Sequence, residues 1–314
     1  MGIKRIFLCG SLFAGLLLAY RPLAAQVSGE AALREHVRVL TADSLTGRGA
    51  GTTGEKKAAA YISRCFKEYG LEFIYPDGIQ DFSVIGQTGD TLSSQNIVGI
   101  IPGSDPQFRE EYIVIGAHYD HLGRQKISID GRDSLVIYPG ADDNASGVAI
   151  MLELAKTIAA QPWFFKRSLV FAAFGAEEIG LVGSWYFVHR AFAPIARTVL
   201  MVNVDMIGRS GSGNTFCAYT LTPNMELSDM LRSVELPPAV LPRILDTDYF
   251  PSDHRHFFYQ QIPAVLFTTG LHADYHRSSD RASLLDYAGM ERRMAYIRDF
   301  ICIAATINQA KIIQ

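Results

Sequence analysis

Cysteine is scarce in this sequence, which has only Cys9, Cys65, Cys217 and Cys302 and no Cys-x-x-Cys pair. That excludes a cysteine zinc cluster and a disulfide-stapled mini-domain. Excess charge of one sign is also missing, since 29 Lys and Arg stand against 32 Asp and Glu. A net charge of -3 leaves no footprint for nucleic acid. Low-complexity tracts, internal repeats and a domain-separating linker are absent as well. The longest apolar run, residues 6–19, is too short to span a bilayer comfortably. It follows Lys4 and Arg5 and precedes Pro22-Leu23-Ala24-Ala25-Gln26, the layout of a secretory signal peptide cut after Ala25. The expectation is export to the periplasm or the extracellular space, with residues 26–314 as one domain and no stable membrane insertion. Losing residues 1–25 removes Lys4, Arg5 and Arg21 and no acid, which moves the net charge from -3 to -6.

What is present is an alternation of helical and strand-like segments. Residues 29–41 place Leu33, Val37 and Leu40 on one helical face, with His36 read as a surface residue. The glycine-rich stretch 45–54 lacks the Gly-Lys-Ser/Thr ending of a phosphate loop and follows no strand. A helix is expected over 55–69, stopped by Gly70. Strands are expected over 80–85, 95–101, 112–117, 168–174, 198–204, 214–221 and 263–269, and helices over 148–160, 183–190, 224–234 and 287–310. Residues 123–138 read as a loop or short hairpin, and 237–242 as a proline-rich connection. The three cysteines outside the signal read as small buried apolar residues. Runs 112–117, 168–174 and 198–204 are almost wholly apolar, with Ser168, Thr198 and Asn203 as their polar residues, as in strands buried on both faces. The fold class is therefore α/β, a three-layer arrangement with a mostly parallel, mixed central sheet and helices on both faces.

Polar groups gather immediately after those strands: His118 and Asp120, Glu177 and Glu178, and Asp205, with His276 after the strand at 263–269. In an open α/β sheet, ligands bind beyond the carboxyl ends of the strands. Asp142 and Asp143 lie on a glycine-bracketed loop ahead of a helix, where one of the two carboxylates can bridge two cations. Adjacent acids such as Glu177 and Glu178 repel each other unless a cation is present. Histidines and carboxylates together suit zinc, with manganese or cobalt as substitutes. Two such ions roughly 3.5–4 Å apart can hold a hydroxide between them and polarise a carbonyl.

The segments Ala117-His118-Tyr119-Asp120-His121-Leu122-Gly123, Gly140-Ala141-Asp142-Asp143-Asn144-Ala145-Ser146-Gly147, Ala176-Glu177-Glu178-Ile179-Gly180, Asn203-Val204-Asp205-Met206-Ile207-Gly208, Ser252-Asp253-His254 and Asp274-Tyr275-His276 closely resemble the secreted zinc aminopeptidase family. Bacterial leucyl aminopeptidase belongs to that family, and glutamate carboxypeptidase II, glutaminyl cyclase and the transferrin receptor ectodomain are relatives. The resemblance implies a phosphorylase/hydrolase-like zinc-peptidase fold and a two-zinc site that removes N-terminal residues from peptides. It makes Asp142 the bridging ligand, followed by a cis peptide to Asp143. It gives His118 and Asp205 to one ion, Glu178 and His276 to the other, the general base to Glu177, and support of His118 to Asp120. His121, His254 and His272 fall outside the ligand set. Met206, Tyr249 and Tyr275 are candidates to line the substrate pocket. Alternatives within the resemblance are a carboxypeptidase for acidic dipeptides, served by Arg243, Arg255 or Arg277, a glutaminyl cyclase-like transferase, and a binding ectodomain. A complete set of ligands argues against the last.

Overall fold

The computed structural model describes residues 29–86, 89–129, 132–210 and 215–308; the expected signal peptide lies outside them. Helices α1 (Gly29–Leu40) and α2 (Thr53–Glu68) precede strands β1 (Ile79–Ile85), β2 (Thr91–Ile101) and β3 (Tyr112–His118). A separate hairpin follows, β4 (Arg124–Ile129) with β5 (Arg132–Ile137), and then α3 (Gly147–Ala159), β6 (Ser168–Phe174), α4 (Val182–Tyr186) and β7 (Thr198–Val204). The chain continues through β8 (Thr215–Tyr219), α5 (Met225–Ser233), β9 (Leu241–Leu245), α6 (His254–Tyr259), β10 (Ala264–Thr268) and α7 (Tyr287–Thr306).

Eight strands form one mixed sheet in the order β1-β2-β6-β3-β7-β10-β8-β9. Its centre, β6-β3-β7-β10, is parallel throughout, so these four strands end at the same edge. Side chains on successive strand residues point to opposite faces. Accordingly Ile113, Ile115 and Ala117 join the core under α1, α3 and α7, while Val114 joins the core on the other face with Phe187 and Phe257. β6 divides likewise, with Leu169 and Phe171 on one side and Val170 and Phe174 on the other. Phe174 also fills the space over β3, where a Cβ on Gly116 would lie 2.5 Å from its ring.

Two readings of the sequence need correction. His36 is buried, with Nδ1 2.7 Å from the Tyr61 hydroxyl and Nε2 3.0 Å from Glu153 Oε1, so it ties α1 to α2 and α3. Residues 241–245 are a strand, β9, in what read as a proline-rich connection. Pro242 lacks an N–H, but β9 is the sheet's edge, where one fewer donor is tolerated. No disulfide joins Cys65, Cys217 and Cys302 to one another.

Glu55 in α2 is fully buried and accepts hydrogen bonds from Ser94 Oγ at 2.5 Å and Gly51 N at 2.7 Å. Burial pushes its carboxyl up from 4.5 to about 7. Between those values the folded chain keeps a proton that the unfolded chain has released, so this group's contribution to stability declines as pH rises through the window. The full effect is about 3 kcal/mol at most. Glu55→Gln is expected to flatten the fall of the urea midpoint between pH 5 and 7.5 relative to wild type. Parallel pH profiles for the two proteins would contradict this.

Candidate metal centre

The parallel strands deliver their polar groups to one edge. His118 closes β3, Asp205 follows β7, and Glu177 and Glu178 follow the turn after β6. His118 Nε2 lies 3.3 Å from Asp205 Oδ1 and 3.3 Å from Asp143 Oδ1. The other oxygen of Asp143 lies 3.3 Å from His276 Nε2, which is itself 3.1 Å from Glu178 Oε2. The two Asp143 oxygens thus divide between two imidazoles. Donor atoms of His118, Glu177 and Asp205 fall within 4.8 Å of one another, as do those of His121, Asp143 and Glu178.

Asp142, the bridge implied by the resemblance, is not between the histidines. Its Oδ1 accepts the Gly208 N–H at 2.6 Å, and its Oδ2 lies 3.1 Å from His272 Nε2. The contact also explains the glycine at 208, because a Cβ there would sit 2.8 Å from Asp142 Oδ1. The cis peptide is shifted by the same single residue and joins Asp143 to Asn144. Asn144 then fastens the loop to the sheet, donating to Val204 O while its amide oxygen accepts from Gly147 N and Met206 N.

Supporting contacts fix each group. Asp120 Oδ1 accepts Glu177 N at 3.0 Å and Oδ2 accepts Glu178 N at 3.3 Å. The carboxylate stands 3.8 Å from His118 Nδ1, so its hydrogen bonds go to the glutamate backbone while its own carbonyl lies 3.3 Å from the imidazole. Ser252 Oγ donates to Asp205 Oδ2 at 2.7 Å and accepts from Asn203 Nδ2 at 2.8 Å. His121 is buried with Nδ1 2.6 Å from Glu178 Oε1, which holds that carboxylate from the side opposite His276. Arg48, also fully buried, donates to the carbonyls of Leu40, Tyr119, Pro139 and Gly140 and joins the two loops that flank the site.

Of the expected pocket residues, Met206 is buried, Tyr249 is stacked on Tyr219 at 5.0 Å, and Tyr275 is stacked on His276 at 3.8 Å. Arg255 pairs with Asp248 at 2.5 Å, Arg243 lies on edge strand β9, and Arg277 is exposed beside His276. Two groups, Asp253 and Asp280, have no role assigned from the sequence, and His254 is expected only to fall outside the ligand set. Asp253 is fully buried with neither carboxylate oxygen hydrogen-bonded, His254 is buried with both ring nitrogens unpartnered, and Asp280 anchors the acidic loop. Asp253 and His254 stand in a quoted motif, and Asp280 follows His276 by four residues; those are the only signals the chain offers.

Electrostatics divides the acids. Burial pushes Glu177 well above the usual carboxyl range, and Asp253, Asp205 and Glu178 add to it against the pull of His118. Burial likewise raises Asp253 to about 7. Burial opposes the charge on Asp143 and Glu178, yet hydrogen bonds from His118 and His276 hold Asp143 low, and His121 and His276 hold Glu178 low. Burial would depress His276, but Asp143 and Glu178 outweigh it and raise the imidazole to about 10. Packed acids of this kind, with Arg48 committed to four carbonyls and Asp253 lacking a partner, are the setting a bound cation neutralises. Carboxylates and imidazoles at this spacing fit zinc.

The mixed eight-stranded sheet that carries these clusters at its carboxyl edge is a fold shared with solved aminopeptidases. A zinc aminopeptidase from Bacillus subtilis has this fold, with a TM-score of 0.69 and 17% identity over 92% of this chain and 98% of that one. Tannerella forsythia glutaminyl cyclase matches at a TM-score of 0.68 and 17% identity, over 90% and 100%. In sequence, a probable leucine aminopeptidase of Trichophyton verrucosum is 30% identical over 206 residues, 62% of this chain and 53% of that protein. Residues 96–301 match the model of peptidase family M28, and the chain belongs to that family. It spans about half or less of the length of the curated relatives it matches.

Proposed function

We propose that this protein is an exported zinc aminopeptidase that uses two ions to release N-terminal residues from peptides. The observation that carries the reading is Asp143, whose two oxygens face His118 with Asp205 on one side and His276 with Glu178 on the other. Those five residues would hold the ions. Bound there, zinc supplies positive charge that polarises the scissile carbonyl and makes a nearby water more acidic. Glu177 is left for proton transfer, because its backbone is fixed by Asp120 and it is not among the five residues that would hold the ions. It accepts the proton of the attacking water on a carboxylate oxygen and hands it to the departing amine nitrogen. Asp253, buried nearby, adds to the upward push that burial exerts on the Glu177 carboxyl. Export is proposed from the basic, apolar and small-residue layout of residues 1–25.

The test is product mass spectrometry after zinc-loaded protein meets a mixed peptide pool, half of it N-acetylated. Loss of N-terminal residues from free peptides alone, abolished by chelator, is the expected result. C-terminal trimming would move the reading to a carboxypeptidase, and loss of about one ammonia from N-terminal glutamine would move it to the cyclase chemistry of the fold relative. Metal binding should also follow pH with a definite sign. His276 holds a proton up to about 10 in the metal-free protein and must release it to act as a ligand. Zinc affinity is therefore expected to rise between pH 6 and 8 by about tenfold per unit for each proton displaced. Competition with a chromophoric chelator measures it, and a flat profile would contradict the assignment of His276.

A further inference from the structure

We propose that Asp280 is the positioning residue for the ion on the His276 side of the site. The argument rests on the two-ion reading above. Asp280 is fully buried, and three donors converge on its carboxylate. Its Oδ2 accepts the backbone N–H groups of Asp142 at 2.8 Å and Asp143 at 3.1 Å, and Oδ1 accepts Arg209 Nη2 at 2.8 Å. Its carbonyl oxygen accepts Ala141 N at 3.3 Å. The other arm of Arg209 reaches Asp274 Oδ2 at 3.1 Å, and Asp274 and Asp280 bracket the turn that carries His276. Backbone bonds from Asp280 N to Arg277 O and from Arg277 N to Asp274 O close that turn. One carboxylate therefore joins the loop bearing Asp143 to the turn bearing His276, the two groups whose side chains approach within 3.3 Å.

With its oxygens committed to these donors, Asp280 does not serve as a ligand itself. It repeats the device of Asp120, which grips the consecutive N–H groups of Glu177 and Glu178 on the opposite wall. The His118 side is held otherwise, through Ser252 on Asp205. Removing the Asp280 clamp should accordingly weaken one ion far more than the other. Groups that orient ligands from behind typically govern metal affinity by about 10–100-fold.

The experiment is zinc titration of metal-free wild type, Asp280→Asn and Arg209→Met, read by a competing chromophoric chelator and by metal content after gel filtration. Folding is followed by circular dichroism. Asparagine keeps the size of the side chain but only one acceptor oxygen, so either the two N–H groups or Arg209 Nη2 meets an NH2 in place of an acceptor. Wild type is expected to bind two ions. Asp280→Asn should bind one at wild-type strength and the second at least about tenfold more weakly, with turnover restored by excess zinc. Arg209→Met should shift the second ion in the same direction by a smaller factor, and it decides the matter should the Asp280 variant not fold. Two tightly bound ions in both variants, or equal weakening of both ions, would overturn the role of Asp280. A wild type that binds a single ion would overturn the two-ion reading and this inference with it.

Discussion

Glu177→Gln is expected to retain two zinc ions and lose about 10²–10⁴ in kcat with little change in KM. The amide keeps the shape of the side chain and leaves the backbone N–H on Asp120, so the site's geometry persists. What it lacks is a carboxylate oxygen that accepts and returns a proton. Steady-state kinetics on an aminoacyl chromogenic amide, beside metal analysis of the same sample, separates these effects. Turnover near wild type would remove Glu177 from the mechanism, and loss of metal would make it a ligand, in keeping with its closeness to His118 and Asp205.

The second large effect concerns the adjacent acids. Asp143→Ala should abolish stable two-ion binding and activity together, because both clusters lose the carboxylate between them and His118 and His276 lose their common partner. Asp142→Ala should keep the ions bound. Its cost is structural, about 1–3 kcal/mol for leaving the Gly208 N–H without its acceptor in the interior. Metal analysis and denaturant midpoints on the pair decide it, and the reverse outcome would restore Asp142 as the bridge.

That pair also marks where reading the chain stopped. The strands at residues 168–174 and 198–204 coincide with β6 and β7 because a run buried on both faces is almost wholly apolar, Asn203 excepted, and gives way to charged groups just past its end. For the same reason the groups after these strands were found. The acidic loop has no such regularity. Neighbouring side chains on an irregular turn point in directions set by its dihedrals, and Asp143 at φ -106° and ψ 94° departs from helical geometry in a way residue types do not announce. His36 reads as a surface residue because its partners Tyr61 and Glu153 come from other helices. Asp280 was invisible because its work is done on backbone N–H groups 137 and 138 residues away.

Arg48 carries a consequence for where the folding unit begins. The family match starts at residue 96, yet the guanidinium at position 48 supplies donors to carbonyls at Tyr119, Pro139 and Gly140. A chain started at residue 96 would expose the cleft loops' carbonyls with nothing to replace those donors, and would uncover the apolar floor on which α1 and α2 rest. The matched segment, residues 96–301, is thus not an autonomous module. Residues 29–95 complete its core and satisfy its loops, and deletions meant to trim the protein to its matched region should yield insoluble material instead of a smaller enzyme.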